Sequence, residues 1–251
     1  MGTVRGISGL FTRGHVILTV AAVVAAVAGG GTALALTTSA PSHVVSMSTA
    51  GRTSAALKVT AGTPVLKVSV GKLGGTLLRV STPDDAPVRP VLSGSRLIVL
   101  SLTGAAAAPG QGSGYAVKVV LNSAVTWSLD LAGGTQRTEA DLRGGKVGGI
   151  AVTAGSDVLD VSLPKPAGTL PFLLAGGASQ FLLSLPGGVP AQVTVGGGAS
   201  FVSVDDQNLV GVAGGTVLTP PGWATATSRF DIDATSGFSR LTVSRWYPVG
   251  S

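Results

Sequence analysis

Apolar and polar residues alternate one by one through much of this chain, and glycine interrupts the alternation at regular intervals. Around Gly155, Ile150 and Val152 come before the glycine, and Leu159, Val161 and Leu163 follow it. Gly177 has Phe172 and Leu174 at the same offsets before it, then Phe181, Leu183 and Leu185. Gly198 is flanked by Val193, Val195, Val202 and Val204, and Gly237 by Ile232, Ala234, Leu241 and Val243. Gly134 is a weaker copy, with Leu129 and Leu131 before it and Ala140 and Leu142 after it; Gly215 keeps only the first half, Val210 and Val212. A period of two places successive side chains on opposite faces, so each segment reads as a strand with one buried face.

The glycine marks the place where the backbone turns, a position that often needs φ > 0. Asp157, Ser179, Ser200 and Ser239 stand two residues after their anchors and suit a turn, because short polar side chains bond local backbone. The anchors recur roughly every 21 residues, with one shorter step near Gly215. Such a period predicts an all-β fold of stacked, solenoid-like repeats, each burying its apolar face on its neighbours. The competing expectation is an antiparallel sandwich with evenly spaced hairpins. Asp231 to Tyr247, as the final copy, is expected to cap the array.

Strand-like runs also occupy Ala56–Thr60, Val65–Val70, Thr76–Val80, Arg96–Leu102 and Tyr115–Leu121. Gly94 with Ile98, Leu100 and Leu102 matches the second half of the repeat, so the array is expected to begin ahead of Trp127. Thr103–Gly114, rich in Ala and Gly, reads as a flexible surface loop. The repeat domain is assigned to residues 54–251; a sub-boundary near Asn122 and one continuous domain both fit it.

Ahead of the repeats, Arg5 and Arg13 precede an apolar run from Val16 to Leu36 that contains no Asp, Glu, Lys or Arg. It is about long enough to span a bilayer as a helix, which takes roughly 20 residues. The arginines favour a cytoplasmic N-terminus. Residues 1–36 are therefore read as a transmembrane anchor or a signal peptide, the latter cleaved near Ala35, where Ala33-Leu34-Ala35 supplies small residues. Either way the remainder is expected outside the cytoplasm, on the cell membrane or secreted. Residues 37–53, rich in Ser, Thr and Ala, read as a linker.

Composition narrows the chemistry. The chain has no cysteine, which excludes disulfides, thiolate nucleophiles and cysteine zinc sites. A net charge of +6 is spread over scattered Lys and Arg, without the basic stripe and stacking aromatics that nucleic-acid binding needs. Only His15 and His43 are present, both ahead of the repeats, which argues against a histidine-dependent triad. Asp205-Asp206-Gln207-Asn208 is an oxygen-rich loop that reads as a turn, with Ca²⁺ binding as the other reading. Asp231 and Asp233 share one strand face, as paired glycosidase carboxylates would, and as a solvated face would. Arg137, Glu139, Asp141 and Arg143 put opposite charges side by side on an outward face. Trp127, Trp223 and Trp246 are expected to cap the array rather than stack on sugars. No residue is assigned as catalytic, as cofactor-binding or as a metal ligand, and no cofactor is expected.

Leu173-Leu174-Ala175-Gly176-Gly177-Ala178-Ser179, Val193-Thr194-Val195-Gly196-Gly197-Gly198-Ala199-Ser200 and the closing Phe230–Ala234, Gly237 and Leu241–Val243 resemble rungs of bacterial toast-rack-like, adhesin-type β-solenoid domains of envelope proteins. The likeness covers roughly residues 124–246, and the half-copy at Gly215, with Pro220-Pro221, departs from it. It implies an exported, non-catalytic envelope protein acting as an adhesin, scaffold or sensor, with no catalytic residues carried over. Its partners would be the membrane, through the N-terminal helix, and an envelope protein or cell-wall polymer. The alternative is an exported carboxylate-dependent enzyme on wall or capsule polysaccharide.

Overall fold

The computed structural model describes residues 42–104 and 114–248. The apolar run Val16–Leu36, and with it the anchor or signal peptide, lies outside the described residues, as does most of the loop 103–114. Among the described residues no helix is long and apolar enough to cross a membrane. The regular structure of the described residues is all β, apart from a short 3₁₀ turn at Trp223–Thr225. The strands are β1 (Val44–Ser48), β2 (Ser54–Val59), β3 (Thr63–Gly71), β4 (Thr76–Ser81), β5 (Val88–Ser93), β6 (Leu97–Gly104) and β7 (Ala116–Asn122). There follow β8 (Thr126–Leu131), β9 (Thr135–Asp141), β10 (Lys146–Val152), β11 (Ser156–Ser162), β12 (Thr169–Leu174) and β13 (Ala178–Pro186). The last are β14 (Ala191–Val195), β15 (Ala199–Val204), β16 (Gln207–Val212), β17 (Thr216–Leu218), β18 (Arg229–Ala234) and β19 (Phe238–Trp246).

These strands form two mixed sheets. One has ten strands in the order β1-β4-β7-β3-β9-β11-β13-β19-β15-β16, the other nine in the order β17-β14-β18-β12-β10-β8-β2-β6-β5. The chain repeatedly runs along a strand of the nine-stranded sheet, turns a corner, and continues along a strand of the ten-stranded sheet. The strand pairs β2/β3, β6/β7, β8/β9, β10/β11, β12/β13, β14/β15 and β18/β19 all run in that direction, and their strands pair in parallel. Two rungs run in reverse. β4/β5 lies antiparallel against β7 and β6 at one end, and β16/β17 lies antiparallel against β15 and β14 at the other. β1 adds one more strand outside β4. The architecture thus has two facing sheets, as a sandwich does, but builds them from corner-crossing repeats.

Stacking order departs from chain order at both ends. β2/β3 is inside β6/β7, and β18/β19 is inserted between β12/β13 and β14/β15. Asp231–Tyr247 is therefore an interior rung and not the expected cap. The half-copy at Gly215 is the corner of the reversed rung β16/β17, which does cover an end. Gly94 likewise belongs to the β5–β6 hairpin, so Ile98 and Leu100 lie on the first strand of a rung rather than the second. Val44–Ser48, inside the stretch read as a linker, is edge strand β1, because Val45 and Met47 pack against the core.

The interior is a set of columns, one residue per rung. Val117, Leu66, Thr138, Leu159, Phe181, Leu241 and Val202 follow one another across the ten-stranded sheet. Ile98, Leu57, Leu129, Ile150, Phe172, Ile232 and Val193 do so across the nine-stranded one. All are buried, and Phe172 meets Phe181 across the core with ring centroids 5.2 Å apart. Leu159 thus adjoins Phe181 directly, whereas Leu241 separates Phe181 from Val202.

The tryptophans do not cap the stack. All three lie on the side away from the corner, where strands of the ten-stranded sheet end and those of the nine-stranded sheet begin. Each indole N–H donates to a backbone carbonyl: Trp127 to Asn122 (3.0 Å), Trp223 to Phe230 (2.7 Å) and Trp246 to Leu163 (3.1 Å). Trp127 is buried in the middle of its sheet. A large ring with one polar atom suits this place, where strand ends leave both apolar surface and free carbonyls. Asn122, at the sub-boundary allowed by the sequence, is itself buried; its amide donates to the carbonyls of Gly74 (2.9 Å) and Thr76 (2.7 Å).

Candidate functional site

At the corner, six rungs among the described residues present the same small set of atoms, so its local structure decides the surface there. Positive φ does not explain its glycines: of the sequence anchors, only Gly198 (φ 82°) and Gly215 (φ 86°) have it. Space does. A Cβ on Gly133 would lie 2.0 Å from the Ala61 carbonyl oxygen, one on Gly176 2.1 Å from that of Ala154, and one on Gly197 2.3 Å from the Gly237 nitrogen. In stacking order the corners read Thr60-Ala61-Gly62, Ala132-Gly133-Gly134, Thr153-Ala154-Gly155, Ala175-Gly176-Gly177, Thr235-Ser236-Gly237 and Gly196-Gly197-Gly198. Corners with a central side chain alternate with corners that have a central glycine, so backbones approach closely without clashing.

In three of the corners the first two N–H groups converge on the carbonyl that ends the neighbouring strand. Ala175 and Gly176 both donate to Val152 at 2.9 Å, and Thr153 and Ala154 to Leu131 at 3.0 and 3.4 Å. Just past the anchor, Thr135 Oγ1 lies 2.9 Å from Ser156 Oγ and 2.8 Å from Thr138 Oγ1, while Ser156 Oγ donates to the Val158 carbonyl at 2.9 Å. The corner hydroxyls that bond locally are thus one residue after the glycine, not the expected two.

Asp157 and Ser179 instead point outward. With Pro64, Gln136 and the anchors Gly62, Gly134, Gly155 and Gly177 they line an open furrow of about 680 Å³ that runs across four rungs, with Tyr115 at one end. Bare glycines form its floor, and polar groups repeat along it at the strand spacing of about 4.8 Å. Gln136 offers donors and an acceptor, Asp157 a carboxylate and Ser179 a hydroxyl. This arrangement can hydrogen-bond an extended polar chain laid along the stack. Its described lining contains a single carboxylate and no histidine or lysine, so it presents no acid/base pair.

The other carboxylates singled out from sequence are dispersed. Asp205 and Asp206 form the turn between β15 and β16. Asp205 has φ 51° and takes two hydrogen bonds from the Arg245 guanidinium, at 2.6 and 2.8 Å. Arg245 also donates to the Val189 carbonyl (2.7 Å), so the pair ties the turn to the neighbouring rung. Hydrogen bonding to Arg245 holds the Asp205 carboxyl below its usual range. Asp231 and Asp233 lie on β18 in the other sheet, so the structure does not bring the two acidic pairs together. Arg137, Glu139, Asp141 and Arg143 behave as expected of an outward face. Arg137 and Lys67 both pair with Glu139 (2.6 and 2.8 Å), and Arg143 pairs with Asp141 (2.7 Å). These partners lower the Glu139 and Asp141 pKa values. His43, placed in the linker by sequence, has Nδ1 2.9 Å from Thr82 Oγ1 beside β1. Among the described residues no three His, Asp or Glu side chains are placed to hold a metal ion.

Sequence reasoning missed Gln136, Tyr115 and Arg245. The signal for Gln136 was the column two residues past each glycine, read there as turn chemistry rather than as the wall of a furrow. Nothing in the sequence pointed from Arg245 to an aspartate forty positions earlier.

No protein-family model matches the chain, and no curated protein matches it in sequence. The fold does have a likeness among solved structures. A crystal structure described as a "putative cell adhesion protein" from Clostridium sporogenes ATCC 15579 superposes with a TM-score of 0.58. The match covers 80% of this chain and 97% of that one at 15% identity. At that identity the likeness concerns the fold alone.

Proposed function

We propose that this chain is a non-catalytic, exported envelope protein whose two-sheet stack works as an adhesin-like or scaffolding surface, with the corner furrow as its contact. The furrow carries the reading: an open channel with hydrogen-bonding side chains on three successive rungs suits one extended polar polymer, such as a cell-wall glycan. The adhesion role named for the structural neighbour, and the adhesin-type rungs read from the sequence, support the same class of function. Residues 1–36 would anchor the domain to the cell membrane or direct its secretion, and N-terminal sequencing of the cell-associated protein decides between the two. The polysaccharide-enzyme alternative has less support, because the acidic pairs lie on different sheets and Asp205 is held ionised by Arg245.

The test is co-sedimentation of the full chain with isolated cell walls. The double variant Gln136→Ala/Asp157→Ala, altered only at exposed positions, should weaken binding about tenfold, or about 1.4 kcal/mol. Unchanged binding by this variant would remove the furrow from the account, and absence of any wall binding would remove the glycan.

A further inference from the structure

We propose that the end of the stack formed by β16 and β17 is a docking surface for a second copy of this chain. The two copies would be joined edge to edge about a twofold axis. This inference is independent of the furrow.

The observation behind it is how exposed the apolar side chains of this end are, more so than Val44, Val91 and Leu97 at the other. Val210 is 82% exposed and Val217 51% exposed. Val210 belongs to β16 and Val217 to β17, the last strands of the two sheets at the same end. On a strand, a side chain is normally covered by the residue opposite on the next strand; among the described residues these two have a neighbour on one side only. Free strand edges also carry unpaired N–H and C=O groups that template pairing unless proline, charge or a bulge blocks them. β16 and β17 read QNLVGV and TVL, with no charge and no proline. Pairing of β16 with β15 is regular from Gln207 to Val210, and only Gly211 (φ 64°) departs from it.

The opposite end is protected. Edge strand β5 contains Pro90, and β1 has a register break between Met47 and Ser48. Charge differs between the two halves of the stack: residues 42–122 hold eight Lys or Arg against two Asp, whereas residues 123–248 hold seven against nine Asp or Glu. β16 and β17 themselves bring no like charges together.

Geometry selects the arrangement. β16 and β17 each lie one strand beyond the rung β14/β15, so both edges end level. A twofold axis normal to the sheets sets β16 antiparallel to its copy and β17 antiparallel to its copy at once, an isologous contact that closes on itself. A head-to-tail contact would be favoured by charge. At the β1/β5 end, however, the ten-stranded sheet runs one strand further, so both sheets cannot continue together. Attraction between exposed charges is weak and screened by salt, so the level edges decide.

The absence of native cysteine gives a direct test. Asn208→Cys and Val210→Cys on β16, and Val217→Cys on β17, are made one at a time in the full chain and oxidised in cells. With no other thiol in the chain, a covalent dimer of it can form only through the introduced position. Covalent dimers are expected from β16 and β17, and none from Val44→Cys or Val91→Cys at the other end. Failure of all three β16 and β17 positions to cross-link overturns the proposal. So does a dimer that forms only when Val44→Cys and Val210→Cys are combined, because that is the head-to-tail contact. As a second measurement, Val210→Lys leaves folding intact at so exposed a position. It should weaken self-association at least tenfold in sedimentation equilibrium; unchanged association overturns the proposal.

Discussion

At the scale of single residues, the central corner glycines Gly133, Gly176 and Gly197 are required by the closeness of neighbouring backbones rather than by an unusual φ. That reading separates glycines that look alike in sequence. Gly176 has backbone atoms of Ala154 within 2.1 Å of where a Cβ would sit, whereas Gly155 has only ordinary contact at 3.6 Å. Gly176→Ala should therefore lower stability by about 1–3 kcal/mol, as overpacking does. Gly155→Ala should change it by about 0.5 kcal/mol or less. Urea unfolding of the two variants checks the contrast. Asp205 supplies a second prediction. Arg245 stabilises its carboxylate only in the folded chain, so the folded pKa lies below the unfolded one. The contribution is complete above the unfolded pKa, near pH 4, and is lost as pH falls through the folded value. Asp205→Asn should lower the urea midpoint at neutral pH, and should make the remaining stability fall less steeply below pH 4. The sequence located the anchor glycines, of which only Gly198 and Gly215 have the expected positive φ, and did not single out the crowded glycines beside them. Alternation along one chain shows where the backbone turns and carries no measure of how near the next rung comes.

At the scale of elements, period-two alternation was a sound guide, because it reflects the burial of one strand face, which every rung needs. It assigned the inward residues of β8 to β15 and of β18 and β19 correctly. It was weaker for β1, where Val45 and Met47 are embedded in a Ser- and Thr-rich stretch that also suits a linker. It was weakest for neighbours. Leu159, Phe181 and Leu241 fit beside one another in any order, so an apolar pattern alone cannot rank the rungs. This changes what truncation should do. Removing residues 241–251 takes out most of β19, which lies between β13 and β15 and pairs with both. The ten-stranded sheet would be split and the inner faces of Phe181 and Val202 uncovered. The expected result is a chain that fails to fold, seen as loss of the cooperative unfolding transition; a truncated chain with the parent transition would contradict the pairing.

At the scale of the whole molecule, the two corner types offer a code for stacking that was present in the sequence all along. Thr-Ala-Gly or Thr-Ser-Gly corners must sit between corners with a central glycine, because two central side chains would not fit against each other. In chain order this alternation fails at the end, where Gly196-Gly197-Gly198 follows Ala175-Gly176-Gly177. Inserting Thr235-Ser236-Gly237 between them restores it, which is where β18/β19 lies. The same insertion leaves β14/β15 and its reversed partner β16/β17 as the end of the stack, and so creates the free edges proposed to bind a second copy. The most direct test of this rung order uses cysteine pairs in the cysteine-free chain, joined by a cross-linker too short to span two strand spacings of about 4.8 Å each. Leu182→Cys with Thr242→Cys, and Thr242→Cys with Ser203→Cys, should each link within one molecule, since both pairs are direct neighbours. Leu182→Cys with Ser203→Cys should not; efficient linking of that pair, with failure of the other two, would show that the rungs stack in chain order and contradict the account.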